Sequence, residues 1–147
     1  MGKLSKIAES KNRIDLDYQN PELVAAEWVE SAEQDLVVAD SLFTDGHYAW
    51  AMFACQQALE KLLKAGYVNS RHKIPPHLHK LERLASIIKI NPPEEHIDNL
   101  LEINQCYTST RYPGYRRNLC AQTKEEAEEI LYKTRKTFSW LKQTLRL

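Results

Sequence analysis

Glycine is scarce in this sequence of 147 residues, with four in all, and proline numbers only six. So few turn formers exclude a chain of many short strands joined by tight turns. Apolar runs are short, and none approaches the roughly 18 residues a membrane span requires. The first residues, Met1 to Asn12, are polar and of mixed charge, without the apolar centre of a signal peptide. Cysteine occurs three times, at Cys55, Cys106 and Cys120, with no CxxC spacing and an odd count. That usage argues against a disulfide framework and fits a reducing compartment, with the thiols serving as small apolar side chains. A cytoplasmic location is therefore expected. There is no phosphate-binding glycine loop, no GxSxG nucleophile turn and no zinc-ligand framework.

Charge of one sign is also missing over long stretches. Between Ile14 and Glu60 there is no Lys or Arg, but there are ten Asp or Glu. From Lys61 to Leu81 there is no acid, while five Lys or Arg accompany His72, His77 and His79. From Ile103 to Lys124 acids are absent again, and Arg111, Arg116, Arg117 and Lys124 are present. The net charge of zero hides this sorting. Two readings follow: a basic face turned toward an anion, or opposite segments attracting each other inside the fold.

What is there reads as helix. Hydrophobic residues make up 43% and charged residues 27%, a globular mixture with material for one core. Residues 1–19 form a polar lead-in, and 20–147 one helical domain. Asn20-Pro21 supplies an N-cap and a proline at the first helical position. Ala25, Trp28, Val29, Ala32, Leu36, Ala39 and Phe43 then recur at gaps of three and four, up to the stop at Asp45-Gly46. A second helix is predicted from about His47 to Tyr67. Its buried stripe is Tyr48, Met52, Cys55, Leu59, Leu62 and Leu63, with Gln56, Gln57, Glu60, Lys61 and Lys64 mainly on the other side. Asn69 to Pro76 is expected to be loop, since Pro75-Pro76 forbids helix. A third helix is predicted from about His77 to Ile90, ended by Asn91-Pro92-Pro93. A fourth, from about Glu94 to Thr108, carries Ile97, Leu100, Leu101 and Gln105. The pattern fails from Ser109 to Gln122. Thr123-Lys124-Glu125-Glu126 is a capping box opening a fifth helix that runs to the end. Long helices joined by a short Asp-Gly turn predict an all-α, antiparallel up-and-down bundle of about five helices.

Candidate chemistry concentrates in the interrupted stretch from Tyr107 to Arg117. Proline and glycine fix a turn there. Tyrosines such as Tyr107 and Tyr112 can stack on a base, and arginines such as Arg111 and Arg116 can pair with phosphate. The alternative is a structural linker in which Arg111 pairs with an acid of the first helix and the tyrosines cover the core. Lys61 and Lys64 are possible walls of the same site, although lysines near a helix C-terminus also complement its dipole. His72, His77 and His79 have a spacing that could supply metal ligands, but no cysteine or carboxylate joins them, and no metal or cofactor is expected. His79 is placed to cap its helix or to reach the basic loop. Arg71 and His77 are weak candidates for a phosphate clamp and a general acid–base group.

Several segments together resemble the HEPN domain family. They are Trp28-x3-Ala32-x2-Asp35-Leu36-x2-Ala39, Ala54-Cys55-Gln56-Gln57-Ala58-x-Glu60-Lys61-x-Leu63-Lys64-Ala65, His79-x-Leu81-x2-Leu84, and Arg111-Tyr112-Pro113. The resemblance spans roughly residues 22–145. It implies a helical bundle that commonly dimerises, often paired with a small nucleotidyltransferase in toxin–antitoxin-like systems. Several branches of the family are metal-independent ribonucleases that use an Arg and a His with four to six residues between them. After Arg111 those positions hold Arg116, Arg117 and Asn118, none of which titrates near neutral pH as histidine does. The expectation is thus a dimeric binding module rather than an enzyme, taking a nucleotide, RNA or a nucleotidyltransferase partner at Arg111, Tyr112 and Tyr107. The alternatives are a ribonuclease built on an atypical Arg/His constellation and a plain interaction scaffold.

Overall fold

The computed structural model describes residues 2–6, 20–112, 114 and 120–147. Six α-helices occur among the described residues from 20 onward: α1 (Pro21–Thr44), α2 (Tyr48–Arg71), α3 (Leu81–Ile87), α4 (Glu94–Asn104), α5 (Cys106–Ser109) and α6 (Lys124–Leu145). A single helical turn lies at 3–6, and no strand occurs among the described residues. The all-α bundle is as expected. The helix count exceeds five because the predicted fourth helix is broken at Gln105 into α4 and α5.

The hairpin α1–α2 is the frame. Asn20 Oδ1 accepts the Leu23 N–H at 3.5 Å, and Pro21 opens the helix, which spends no amide on a missing partner. Asp45 caps α1, and Gly46 takes φ +82°, a conformation open to glycine without steric penalty. The chain reverses there and α2 runs back along α1. Phe43 meets Tyr48 near the turn, Lys61 faces Asp35 midway, and Val68 packs with Val24 and Ala25 at the far end.

Helix α2 is enclosed on nearly every side, with α1, α3, α5 and α6 against it. Ala51, Ala54, Ala58 and Ala65 keep its surface narrow, so neighbours approach closely. At Gly66 an added Cβ would lie 2.8–2.9 Å from the Leu145 methyl carbons, so the missing side chain lets the end of α6 close on α2. This enclosure corrects the expected division of α2 into an apolar and a polar side. Gln56, Glu60 and Lys64, assigned to the polar side, are buried. Helix periodicity finds one partner face, whereas a central helix has several.

Helix α6 begins as predicted. Thr123 Oγ1 accepts the Glu126 N–H at 3.2 Å, and Glu126 Oε2 reaches back to the amides of Gln122 and Thr123. Its buried stripe, from Ala127 through Leu131, Thr134 and Phe138 to Leu141, packs on α2 and α4. On α4 the buried residues are His96, Asn99, Leu100 and Ile103, while Ile97, Leu101 and Gln105, expected inside, are exposed. Polar pairing decides that rotation: Thr137 Oγ1 is 2.9 Å from His96 Nδ1 and accepts from Asn99 Nδ2 at 3.0 Å, and His96 stacks on Trp140.

Two boundaries also differ from expectation. Helix α2 extends past Tyr67 to Arg71, because the proline restriction reaches back only to Ile74. It ends where His72 turns left-handed at φ 57°. Helix α3 starts at Leu81 rather than His77, since bonds to α2 described below hold His79 out of the helix and Asn104 Oδ1 accepts the Leu81 N–H at 3.1 Å. It stops at Ile87, with Lys89 left-handed at φ 59°. No helix among the described residues is long and apolar enough to cross a membrane.

Candidate functional site

Helix α2 presents Gln56 and Glu60, one turn apart, toward the extended segment before α3. Gln56 Nε2 donates to the His79 carbonyl at 3.0 Å, and Gln57 Nε2 in turn donates to Gln56 Oε1 at 2.6 Å. Glu60 Oε1 lies 2.6 Å from His79 Nδ1. One side chain thus fixes the backbone of His79 and another its ring, which keeps the residue out of the following helix. The Glu60 side chain is only 5% exposed, while that of His79 is 48% exposed. A buried carboxylate therefore orients an imidazole whose other edge faces outward.

The stack continues outward from His79. The Tyr107 ring on α5 lies over the His79 ring, with centroids 4.5 Å apart and planes at 17°. Phe53 flanks Tyr107 at 5.9 Å and meets Trp50 edge-on. Arg111 places its guanidinium carbon 3.9 Å from the Tyr107 centroid, 5.4 Å from that of Tyr112 and 6.0 Å from that of Phe53. Its Nε donates to the Tyr107 carbonyl at 2.8 Å, so the planar fork is oriented from within its own turn. No carboxylate pairs with Arg111 among the described residues. The expected alternative, an ion pair with the first helix, is thus not found. Tyr112 is 53% exposed beside it. Just behind, the buried Thr110 Oγ1 donates to the Ala49 carbonyl at 2.9 Å and ties this turn to α2.

Other candidates are engaged differently. Lys61 Nζ is 2.8 Å from Asp35 Oδ2 on α1, a charge contact without hydrogen-bond alignment. Lys64 Nζ lies 4.0 Å from Glu60 Oε2 and 5.9 Å from the Trp28 ring centre, so it backs the site from inside the fold. Arg71 donates to the Ile87 carbonyl at 3.0 Å and closes the end of α3. Exposed His77 makes no hydrogen bond or ring contact with it, so the structure does not assemble the Arg71–His77 pair. No group of His, Cys, Asp or Glu suited to a metal occurs among the described residues. Pro113, Tyr115, Arg116 and Arg117 lie outside the described residues.

The sequence therefore supplied Tyr107, Arg111, Tyr112 and His79, which the fold gathers, but not Glu60, Gln56 or Phe53 as members of the site. The usable signal was the run of alanines on all sides of α2, which marks a helix with no free face and makes any carboxylate on it a buried one.

Gln56, Glu60, His79, Arg111 and Tyr112 belong to the segments that carry the family resemblance, now brought to one place. The HEPN domain family model matches residues 25–144. The fold is similar to the crystal structure of TT1696 from Thermus thermophilus, at 29% identity and a TM-score of 0.72, over 81% of this chain and 96% of that one. It is also similar to the crystal structure of ST0689, an archaeal HEPN homologue, at 25% identity and a TM-score of 0.66, over 82% of this chain and 97% of that one. No curated protein sequence matches. With a family match over most of its length and the helical bundle to go with it, the chain belongs to the HEPN domain family.

Proposed function

We propose that the protein is a binding module that receives the phosphate of a nucleotide or of single-stranded RNA on Arg111, with a base stacked on Tyr112. The observation that carries this reading is the Arg111 guanidinium, laid 3.9 Å from the Tyr107 ring and paired with no carboxylate among the described residues. A guanidinium held over an aromatic ring, and oriented through Nε, keeps its outer N–H donors available in the fork geometry that phosphate oxygens accept. Arginine and exposed aromatic rings together form the usual platform for unpaired bases. In the resemblance, two copies share one cleft and a small nucleotidyltransferase is the protein partner; both belong to this reading. Fluorescence anisotropy with a labelled single-stranded RNA and with ATP tests it. Arg111→Ala weakens binding at least tenfold, about 1.4 kcal/mol, and leaves the circular dichroism spectrum unchanged. Equal binding by the variant, or an unfolded variant, sinks the reading.

The Glu60–His79 contact favours a second reading, a metal-independent ribonuclease. An imidazole oriented by a buried carboxylate is suited to proton transfer, and Arg111, on the ring stacked beside it, to charge neutralisation. Incubation of RNA with the protein under a chelator decides between them. Cleavage that disappears in His79→Ala supports the enzyme, and intact RNA leaves the binding module.

A further inference from the structure

Cys106 opens α5, one residue before Tyr107, and Cys120 stands at the far end of the stretch that carries Arg111 and Tyr112. Their Sγ atoms are 2.6 Å apart, although both are free thiols. Carbon atoms packed by dispersion settle at about 3.5–4.0 Å, and sulfur is larger. The two sulfurs are therefore held closer than non-bonded packing gives and only a little beyond the roughly 2.05 Å of a disulfide, within reach of that bond. Their surroundings differ. Cys106 is fully buried, whereas Cys120 is partly exposed and lines a cavity of about 410 Å³ together with Tyr48, Trp50 and Ser109.

We propose that Cys106 and Cys120 form an oxidisable thiol pair, reached through this cavity by a small disulfide, that closes into an intramolecular disulfide across the base of the Arg111 segment. Cys120, the more accessible of the two, is the attacking sulfur. Contact with the Cys106 thiol holds it below the ordinary thiol range against its partial burial, helped by the Ser109 hydroxyl and the Ala121 amide. The same contact, with burial, pushes Cys106 up. Ser109 Oγ is buried and makes no other hydrogen bond among the described residues, so its hydroxyl can serve the Cys120 sulfur. Cys55, the third thiol, is pushed up to about 12 by burial and stays inert.

The exchange balances in two steps. The Cys120 thiolate attacks one sulfur of the small disulfide, forming a mixed disulfide and releasing one thiol. The Cys106 sulfur then attacks Cys120, and its proton passes to the second departing thiolate. Two protein thiols are oxidised to one disulfide, and one small disulfide is reduced to two thiols. The division of labour, an accessible attacking sulfur and a buried resolving one, follows from the burial of the two residues. The closed bond would tie α5 to the lead-in of α6 and make the Arg111 segment a covalent loop. This chemistry does not depend on what Arg111 binds.

The test uses the full chain, reduced, freed of reductant and incubated in native buffer with oxidised glutathione. Samples are quenched in acid over time, alkylated, digested and read by mass spectrometry. A glutathione adduct on Cys120 appears first, then a linked Cys106–Cys120 peptide, while Cys55 remains alkylatable throughout. Cys106→Ser stops at the Cys120 adduct, and Cys120→Ser leaves Cys106 unmodified. The oxidised wild type also melts at a higher temperature than the reduced one, because the bond restricts the unfolded chain. The proposal is overturned if Cys120 stays free in the folded wild type, if the adduct forms first on Cys55 or Cys106, or if the disulfide links separate chains. Should a serine variant not fold, the order of products in the wild type still decides the matter.

Discussion

Two regions of the molecule hold cations, and they use them in opposite ways. Along the seam between α1 and its neighbours, Lys61 faces Asp35, Lys142 donates to Glu33 at 2.7 Å, and Arg135 pairs with Asp40. The acids come from the stretch that has no Lys or Arg, and the cations from α2 and α6. Around α5, Arg111 has aromatic rings for neighbours and no carboxylate among the described residues. The internal-pairing reading of the charge sorting is met at the seam, and the anion-facing reading is the one proposed for Arg111. The seam consumes charge for internal pairing, while the stack leaves one cation open to an outside anion. Sequence segregation of charge alone does not distinguish these outcomes. The difference lies in whether a helix carrying the opposite sign runs alongside.

The largest effect that can break this comparison is expected at Glu60. It joins the interior to the stack through His79, and its other oxygen faces Lys64. Glu60→Ala leaves the buried Lys64 without its nearest carboxylate, at a cost on the order of 3 kcal/mol. That corresponds to a thermal midpoint lower by roughly 6–12 °C for a chain of this size. Differential scanning calorimetry reads it directly, and a midpoint within a degree of wild type would show that Glu60 does not anchor the site.

A smaller loss is expected at the start of α6, the helix that brings Arg135 and Lys142 to the seam. Thr123→Ala removes one half of the capping box and lowers stability by about 1 kcal/mol in urea denaturation. An unchanged midpoint would mean that packing alone sets the helix start. The smallest effects belong to the seam pairs themselves. Lys61→Ala and Lys142→Ala each lower stability by roughly 0.2–1 kcal/mol, less at high salt, because their pairs are partly exposed to solvent. A loss of several kcal/mol at either residue would move the seam from trim to foundation.

Much of the frame was legible because long helices announce themselves locally. The Asn20-Pro21 start, the Asp45-Gly46 stop and the Thr123–Glu126 capping box all operate within a few residues of where they are written. The errors fall where distant groups decide. His77 to Lys80 stay out of the helix because Gln56 and Glu60, from another helix, hold His79. Helix α4 rotates to give His96 and Asn99 to Thr137 rather than to bury Ile97 and Leu101. The site divides along the same line. Tyr107, Arg111 and Tyr112 sit within one short turn and could be named from composition. Glu60 could not, because its burial depends on how many helices surround α2. The Cys106–Cys120 contact was hidden for the same reason, since no CxxC spacing betrays two sulfurs brought together by the return of a chain segment.

The central claim is that Arg111 is open to an external phosphate while the seam cations are already used. Its most direct test is the salt dependence of single-stranded RNA binding by wild type, Arg111→Ala and Lys142→Ala. Each phosphate that a protein cation neutralises on a single strand adds about 0.7 to the steepness of log K against log salt. The account predicts a slope shallower by that amount in Arg111→Ala, together with weaker binding, and an unchanged slope in Lys142→Ala. An unchanged slope in Arg111→Ala, or the same fall in both variants, would contradict it.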